Sequence, residues 1–297
     1  MKISTGIMAL SLFASPLLAQ VAADQKTYVL AKKETPLPQK EKFKAVKNMS
    51  MEKGIIKIEV QGQTVNGTME NSSKEELIYD FISADQIRVK TVKERGFEKR
   101  VISGREEEEE KIAPAEGTTI LLELKKGKWV GKLEEGKIEE DDQEEFDESL
   151  KNLEREFNEN SDAQLYGTEP RKIGESWDVD PKVMPGMDSF NITGGKVTMT
   201  FVEVKAYQGE LCAILKTSFK VEGEMEQKEL EGMGVTLTGS GRVVRSLGYL
   251  VDLKFTGVMT MDMSGDLEMQ PGMTANMRMG GDMTIDMRMA KAAEKAE

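Results

Sequence analysis

The sequence predicts a mainly β protein: a large, curved antiparallel meander, either a half-barrel or a sandwich, with one acidic amphipathic helix near residues 138–158. The first observation is long runs in which every second residue is apolar, the period of a half-buried strand. The second is that the intervening residues are polar, which is typical of antiparallel sheets with one wet face. The third is a single change to helical spacing, near residue 138.

Residues 1–23 have the three-part pattern of a cleaved export signal. Lys2 provides a positive start, an apolar run covers 7–18, and small residues end at Ala23 before the charged Asp24. The apolar run is shorter than the ~20 residues of a membrane span and contains Pro16, which favours cleavage. No later run of that length follows. We therefore expect an exported protein, in the periplasm or fully secreted, without stable membrane insertion.

The N-terminal β part is expected over residues 24–133. Asn66-Gly67 is a two-residue hairpin signal, because both residue types tolerate positive φ. The acidic run at 106–110 is expected in a loop or hairpin tip. Strand-like runs cover Ile55–Val60, Leu77–Ile82, Ile87–Val92, Phe97–Ile102, Thr119–Leu124 and Trp129–Leu133.

Residues 134–168 are expected to hold the acidic helix and a connection. Apolar residues spaced eight, four, three and four apart lie on one helical face; they are Ile138, Phe146, Leu150, Leu153 and Phe157. The carboxylates of 139–148 lack the alternating oxygen ligands and central glycine of a calcium loop, which favours a solvated helix face. Whether the helix covers the sheet or links two β modules stays open.

The C-terminal β part is expected over residues 169–289, followed by a short tail at 290–297. Alternation runs from Tyr249 to Met263, a strand long enough to need a bend, for which Gly257 is the natural place. A strand at 235–244 precedes it, and the last strand carries Met283 to Met289. Sequential hairpins of this kind make a meander.

Composition excludes several classes of function. The chain has 41 Lys+Arg against 53 Asp+Glu, a net charge of −12, which disfavours nucleic-acid partners. It contains no histidine, which removes Ser-His-Asp and Cys-His catalysis and histidine metal sites. Cys212 is the sole cysteine and lies in an apolar run, so a buried, inert thiol is expected. No catalytic or cofactor-binding motif is present, so we expect no enzyme and no cofactor, although a carboxylate-only enzyme stays open.

Methionine is the unusual feature of the C-terminal part. Ten of the 20 methionines lie between Met259 and Met289, several as Met-x-Met pairs. Soft thioethers can bind Cu(I), but at strand period they also make a deformable core or ligand groove. We favour the core or groove. The candidate groove residues, which share one strand face, are Phe255, Met259, Met261, Met263, Met283, Ile285, Met287 and Met289.

The stretch Lys172-Ile173-Gly174-Glu175-Ser176-Trp177 resembles the Lys-x-Gly-x-Ser-Trp element of uncharacterised exported bacterial β-meander proteins. That family has no known activity, so the resemblance implies a fold and no catalytic residues. The architecture is also similar, as a fold-level analogy, to periplasmic half-barrel lipoprotein carriers. We therefore expect a non-catalytic exported protein that binds a lipid, an acyl chain or an envelope protein, with a Cu(I)-binding module as the alternative.

Overall fold

In the computed structural model, the described residues are 26–33, 37–159, 161–184, 187, 190–226, 230, 232–270 and 273–292. The expected export signal lies outside them. The strands in the N-terminal part are β1 (Thr27–Tyr28), β2 (Glu41–Val60), β3 (Gln63–Phe81), β4 (Gln86–Ile102), β5 (Arg105–Ile112), β6 (Thr119–Lys125) and β7 (Lys128–Glu135). The later strands are β8 (Arg171–Lys172), β9 (Ser176–Val179), β10 (Phe190–Tyr207), β11 (Glu210–Met225), β12 (Gly234–Ser246), β13 (Asp252–Gln270) and β14 (Met273–Lys291).

Twelve of these described strands form one open antiparallel sheet, which confirms the predicted fold class. Its order is β7-β6-β4-β3-β2-β14-β13-β12-β11-β10-β9, with β5 paired to β4 beside this path. Strands β1 and β8 form a separate antiparallel pair. The last strand, β14, pairs with the first long strand, β2, and so joins the N-terminal and C-terminal β parts in one sheet.

The acidic helix is confirmed and packs on the sheet. A 3-10 turn at Glu140–Asp142 leads into α1 (Gln143–Asn158), and a short α2 (Ser161–Tyr166) follows. The buried side chain of α1 is Phe146, while most of its carboxylates are exposed. Leu150 lies directly over β7, because a Cβ at Gly131 would be 2.5 Å from its Cδ1 atom.

The hairpin predicted at Asn66-Gly67 is wrong. The chain turns instead at Gln61 and Gly62, whose φ values of 51° and 80° meet the demand of a tight two-residue loop. Asn66 and Gly67 lie inside β3, where Gly67 allows close approach of β4: a Cβ there would be 2.6 Å from the carbonyl oxygen of Val101. The glycine serves packing rather than turning.

The acidic run 106–110 is also misplaced by the sequence analysis, because it forms most of the exposed strand β5. Its charges are tolerated since β4 presents cations beside them; Lys99 donates to Glu106 and Glu108 at 2.8 Å.

At Gly257, where the sequence analysis expects a bend, β13 pairs in regular register with β12 and with β14. In the β12–β13 pair the irregularity lies nearer the turn, where Leu253 is the extra residue opposite the step from Val244 to Arg245.

Most of the apolar side chains lie on one face, called here the inner face, which carries Phe43, Tyr79 and Met283. Three clusters form among the described residues. The C-terminal cluster lies on β9–β13 and includes Leu30 from residues 26–33 and Tyr166 from α2, two segments that are called here the covering segments. The N-terminal cluster includes side chains of α1. The methionine cluster is centred on Met51, Ile56, Met69 and Met283. Cys212 is fully buried, as predicted, and burial raises its thiol pKa.

Candidate functional site

The eight predicted groove residues lie on the inner face of two adjacent strands, β13 and β14. Phe255 is opposite Met287, and Met259 is opposite Met283. Met263 and Met283 are buried and the other six are half-buried. Alternation along each strand predicted this common face, and the antiparallel pairing brings the two sets together. Their role as a ligand groove stays a prediction.

One of the groove residues, Ile285, belongs to a row of opposite residues that crosses five strands of the inner face, called here the central row. Gly257 is opposite Ile285, which is opposite Met49; Ser73 and Gly96 continue it. Neighbouring strands are about 4.8 Å apart, so the row is about 20 Å long. It ends on small residues, and a Cβ at Gly96 would meet only Lys111, at 4.0 Å.

Ile285 and Met287 form the accessible centre of this face. Both are half-buried, and within the described part of the chain they belong to none of the three clusters. Their neighbours are anchored: Phe255 packs in the C-terminal cluster, and its ring lies over Gly241 and Gly257, where a Cβ would be under 3.0 Å away. The middle of the inner face is therefore apolar and partly open to solvent.

Charged groups adjoin this centre. Met287 is opposite Lys47, Lys47 is opposite Glu75, and Glu75 is opposite Glu94. Glu156, on α1, is near enough to Glu75 to interact electrostatically. Partial exclusion of water and then Glu75 raise the pKa of Glu156 to about 7, while Lys47 opposes the shift. Its exposed surface means that water still screens this carboxylate.

A buried ionic cluster holds the covering segments to the inner face. Arg245 is 1% exposed and donates to Asp162 at 2.6 Å, to Asp252 at 2.7 Å and to the carbonyl oxygen of Leu30 at 2.6 Å. Its guanidinium lies 4.0 Å from the ring centre of Tyr166. Burial opposes the charge of Arg245, but the two carboxylates outweigh it and its pKa is raised.

The sequence analysis missed this cluster. The available signal was the alternation along β12, which puts Arg245 on the same strand face as the apolar Leu237 and Val243. A charged residue at an inward position requires a partner. The sequence contains many carboxylates, however, and nothing local distinguishes Asp162 and Asp252 from the others.

Three thioether side chains meet across three strands. Met259 is opposite Met283, and Met283 is opposite Met51, which the sequence analysis did not single out. The Met51 sulfur lies where glycines leave room: a Cβ would be 2.7 Å from it at Gly54 and 3.0 Å from it at Gly281. These sulfurs share a face with the apolar core.

The Lys-x-Gly-x-Ser-Trp element, residues 172–177, leads into edge strand β9. Gly174 adopts a φ of 89°, which favours glycine. Trp177 is buried, donates its indole N–H to the carbonyl oxygen of Leu165 at 2.9 Å, and lies 4.5 Å from the guanidinium of Arg171. These contacts tie the strand to the end of α2 and give the element a packing role.

An open depression of about 610 Å³ lies on the opposite, outer face. Hydroxyl groups of Thr198, Ser218 and Ser240 line it, together with Lys216 and Arg242. Val258 lines it as well, so the depression combines hydroxyl, charged and apolar groups. In the described ranges, no group of three His, Cys, Asp or Glu side chains is placed to hold a metal ion. Nor is any helix in that part of the chain long and apolar enough to cross a membrane.

No protein-family model and no curated protein matches this chain. Among solved structures it is similar to lipovitellin, described by the words "lipid-protein interactions in lipovitellin" (7% identity, TM-score 0.41, 88% of this chain and 26% of that chain). It is also similar to a β-barrel-like protein of a domain of unknown function from Brucella abortus (9%, 0.17, 86% and 100%). A third is a putative outer membrane lipoprotein-sorting protein domain from Vibrio parahaemolyticus (10%, 0.15, 88% and 90%).

This chain therefore spans about a quarter of the lipovitellin chain that it matches. With TM-scores below 0.5, these similarities carry no argument about the ligand or the mechanism.

Proposed function

We propose that this chain is a non-catalytic exported protein, working in the periplasm or outside the cell, that binds an apolar ligand on its inner face. The observation that carries the proposal is the half-buried pair Ile285 and Met287, which lies outside the three clusters. An apolar ligand covering this pair would remove its remaining surface from water, which is favourable. A lipid, an acyl chain or an apolar segment of an envelope protein fits this description.

The methionines beside this pair support the same function. Met49 and Met287 are half-buried neighbours of Ile285, one across the strand pair and one two residues along the strand. Unbranched thioether side chains have many rotamers and fill irregular gaps, so they adapt to ligands without a fixed shape. A chain with many conformations suits such a lining.

The test is calorimetric titration with a neutral alkyl maltoside below its micelle concentration. Ile285→Gln should weaken binding by about tenfold, because it replaces an aliphatic contact with a polar group. Val258→Gln is the matched control: it makes the same kind of change at a 58% exposed site on the outer face and should bind as the wild type does. Circular dichroism checks that both variants are folded. Absence of binding to the wild type, or unchanged binding to Ile285→Gln, would refute the proposal.

The alternative is a Cu(I)-binding module. The row Met259–Met283–Met51 favours it, since directly opposite side chains have Cβ atoms about 4.5–5.5 Å apart. Thioethers are soft ligands of the kind that Cu(I) prefers. Replacement of sulfur by carbon at nearly constant volume separates this function from apolar binding.

A further inference from the structure

We infer that the ligand of the inner face is a single-chain amphiphile with a cationic head group. Its acyl chain would lie over Ile285 and Met287, and its head group beside Glu75, Glu94 and Glu156. This inference rests on the proposed function and adds the chemical class of the ligand.

The apolar centre suits an acyl chain better than a polypeptide. Strand β14 is paired on both sides, with β13 and with β2, so no strand edge is open at Ile285 and Met287. An extended peptide lying there would place its backbone N–H and C=O groups against apolar side chains without partners, which is costly. An acyl chain has no such groups.

The charged group of residues beside the apolar centre is mainly acidic. Glu75 is directly opposite Glu94 in the β3–β4 pair, an arrangement of like charges that is destabilising. Among the described residues, Glu75, Glu94 and Glu156 have no ion-pair or hydrogen-bond partner for their carboxylates, and Lys47 is the cation opposite Glu75. The nearby Lys111, opposite Gly96, is paired with Glu145 at 3.2 Å. Three carboxylates beside Lys47 therefore leave a net negative site that a cation complements.

The raised pKa values of two of these carboxyl groups agree with a cationic head group. The groups that act on Glu156 are Glu75 on β3, Lys47 on β2 and Asp162 on α2. Partial exclusion of water and then Glu75 raise the pKa of this exposed carboxyl to about 7, and Asp162 adds to the shift, so an extra negative charge is resisted there. Burial, Glu75 and the Glu145 carboxylate of α1 likewise raise the pKa of Glu94. A bound cation would relieve this repulsion. A bound cation would lower the pKa of Glu156, so the ionised carboxylate should bind the cation more tightly than the protonated one does.

The experiment compares three amphiphiles of equal chain length, an alkyltrimethylammonium, an alkyl maltoside and an alkyl sulfate, below their micelle concentrations, at low salt and pH 8. The wild type should bind the ammonium about tenfold more tightly than the maltoside, and the sulfate least well. Glu156→Gln should lose most of the ammonium advantage, measured in each variant as the ratio of its ammonium affinity to its maltoside affinity. The matched control is Glu144→Gln, an equal change of charge at an exposed site on the same helix, which should keep the advantage.

The pH dependence provides a second readout. Between pH 6 and pH 8 Glu156 loses its proton, so the ammonium advantage of the wild type should grow, whereas that of Glu156→Gln should grow less.

Each outcome has a distinct meaning. Equal binding of ammonium and maltoside, or an advantage that survives in Glu156→Gln, would overturn the inference and leave the proposed function standing. If no amphiphile binds the wild type, the proposed function itself fails. Tighter binding of an apolar, lysine-containing peptide than of the ammonium would assign this face to a protein segment and overturn the inference.

Discussion

At the scale of single residues, Arg245 ties three separate parts of the chain to the inner face. Its donors reach Asp162 on α2, Asp252 at the start of β13, and the backbone of Leu30 in the N-terminal segment. A buried charge is tolerated only when it is paired and hydrogen-bonded, and removal of one partner leaves the others uncompensated. Arg245 therefore acts as a structural latch between the sheet and its covering segments.

Replacement of Arg245 by methionine should destabilise the fold by about 3–5 kcal/mol, because two carboxylates then lie together without a cation. The matched control is Arg242→Met, on the same strand but 48% exposed and paired with the equally exposed Glu203. A surface change of this kind should stay within about 0.5 kcal/mol. Urea denaturation measures both, and similar losses in the two variants would contradict the latch.

The same variant has a defined pH dependence. Burial already raises the pKa of Asp162, with Arg245 opposing and Asp252 reinforcing the shift. Without Arg245 the folded-state pKa of Asp162 rises further above its unfolded value. The resulting penalty is present at high pH and disappears as the pH falls through that folded pKa. The loss of stability in Arg245→Met should therefore be smaller at pH 5 than at pH 8. A loss independent of pH would show that Asp162 stays ionised.

At the scale of elements, α1 is held on the sheet by its apolar stripe and by hydrogen bonds from β7, where the backbone N–H groups of Trp129 and Gly131 donate to Asn158 and Glu154 at 2.7 Å. Phe146 is 3% exposed, and Phe157 packs against the rings of Tyr79 and Trp129 at 6.3 and 6.0 Å between centres. Phe146→Ala should cost about 3–5 kcal/mol through lost burial and a residual cavity. Asp147→Lys, on the exposed side, should cost within about 0.5 kcal/mol. Thermal denaturation compares them, and equally small effects would mean that the helix is not docked.

Elements were predictable where the signal is local. The spacing of Phe146 and Leu150 lies within two turns of one helix, so it predicted α1 correctly. Asn66-Gly67 failed because turn propensity was outweighed by a tertiary contact, the close approach of β4 to Gly67. The run 106–110 failed for a similar reason: its neighbours in space, such as Lys99, make a strand of like charges acceptable.

At the scale of the whole molecule, the pairing of β14 with β2 creates the candidate site. It places Met287 beside Lys47 and Ile285 beside Met49, residues more than two hundred positions apart in the chain. Alternation predicted the β13 and β14 side of the groove. The β2 side and Glu156 could not be predicted, because no local pattern specifies which distant strand or helix face will adjoin them.

The methionines also lie along this junction, so their exchange tests the whole inner face. Leucine is close to methionine in volume, and such swaps usually cost less than ~1.5 kcal/mol each. If these residues serve as core or groove, the combined variant should remain folded and keep its affinity for an alkyl maltoside within a few fold. The residues changed to leucine together are Met259, Met261, Met263, Met283, Met287 and Met289. A matched control changes Met199 on β10 and Met225 on β11, which are buried in the C-terminal cluster and belong to no Met-x-Met pair.

Copper separates the two functions in the same variants. Metal that binds only the native state must raise its stability by mass action, by about 2.7 kcal/mol at one hundred times the dissociation constant. We expect no change in the melting temperature of the wild type when Cu(I) is added under reducing conditions, because the sulfurs of Met51 and Met283 are buried among apolar side chains. A rise of several degrees in the wild type and in the Met199/Met225 control, lost in the six-leucine variant, would make the thioethers metal ligands. The inner face would then be a copper site rather than an apolar groove.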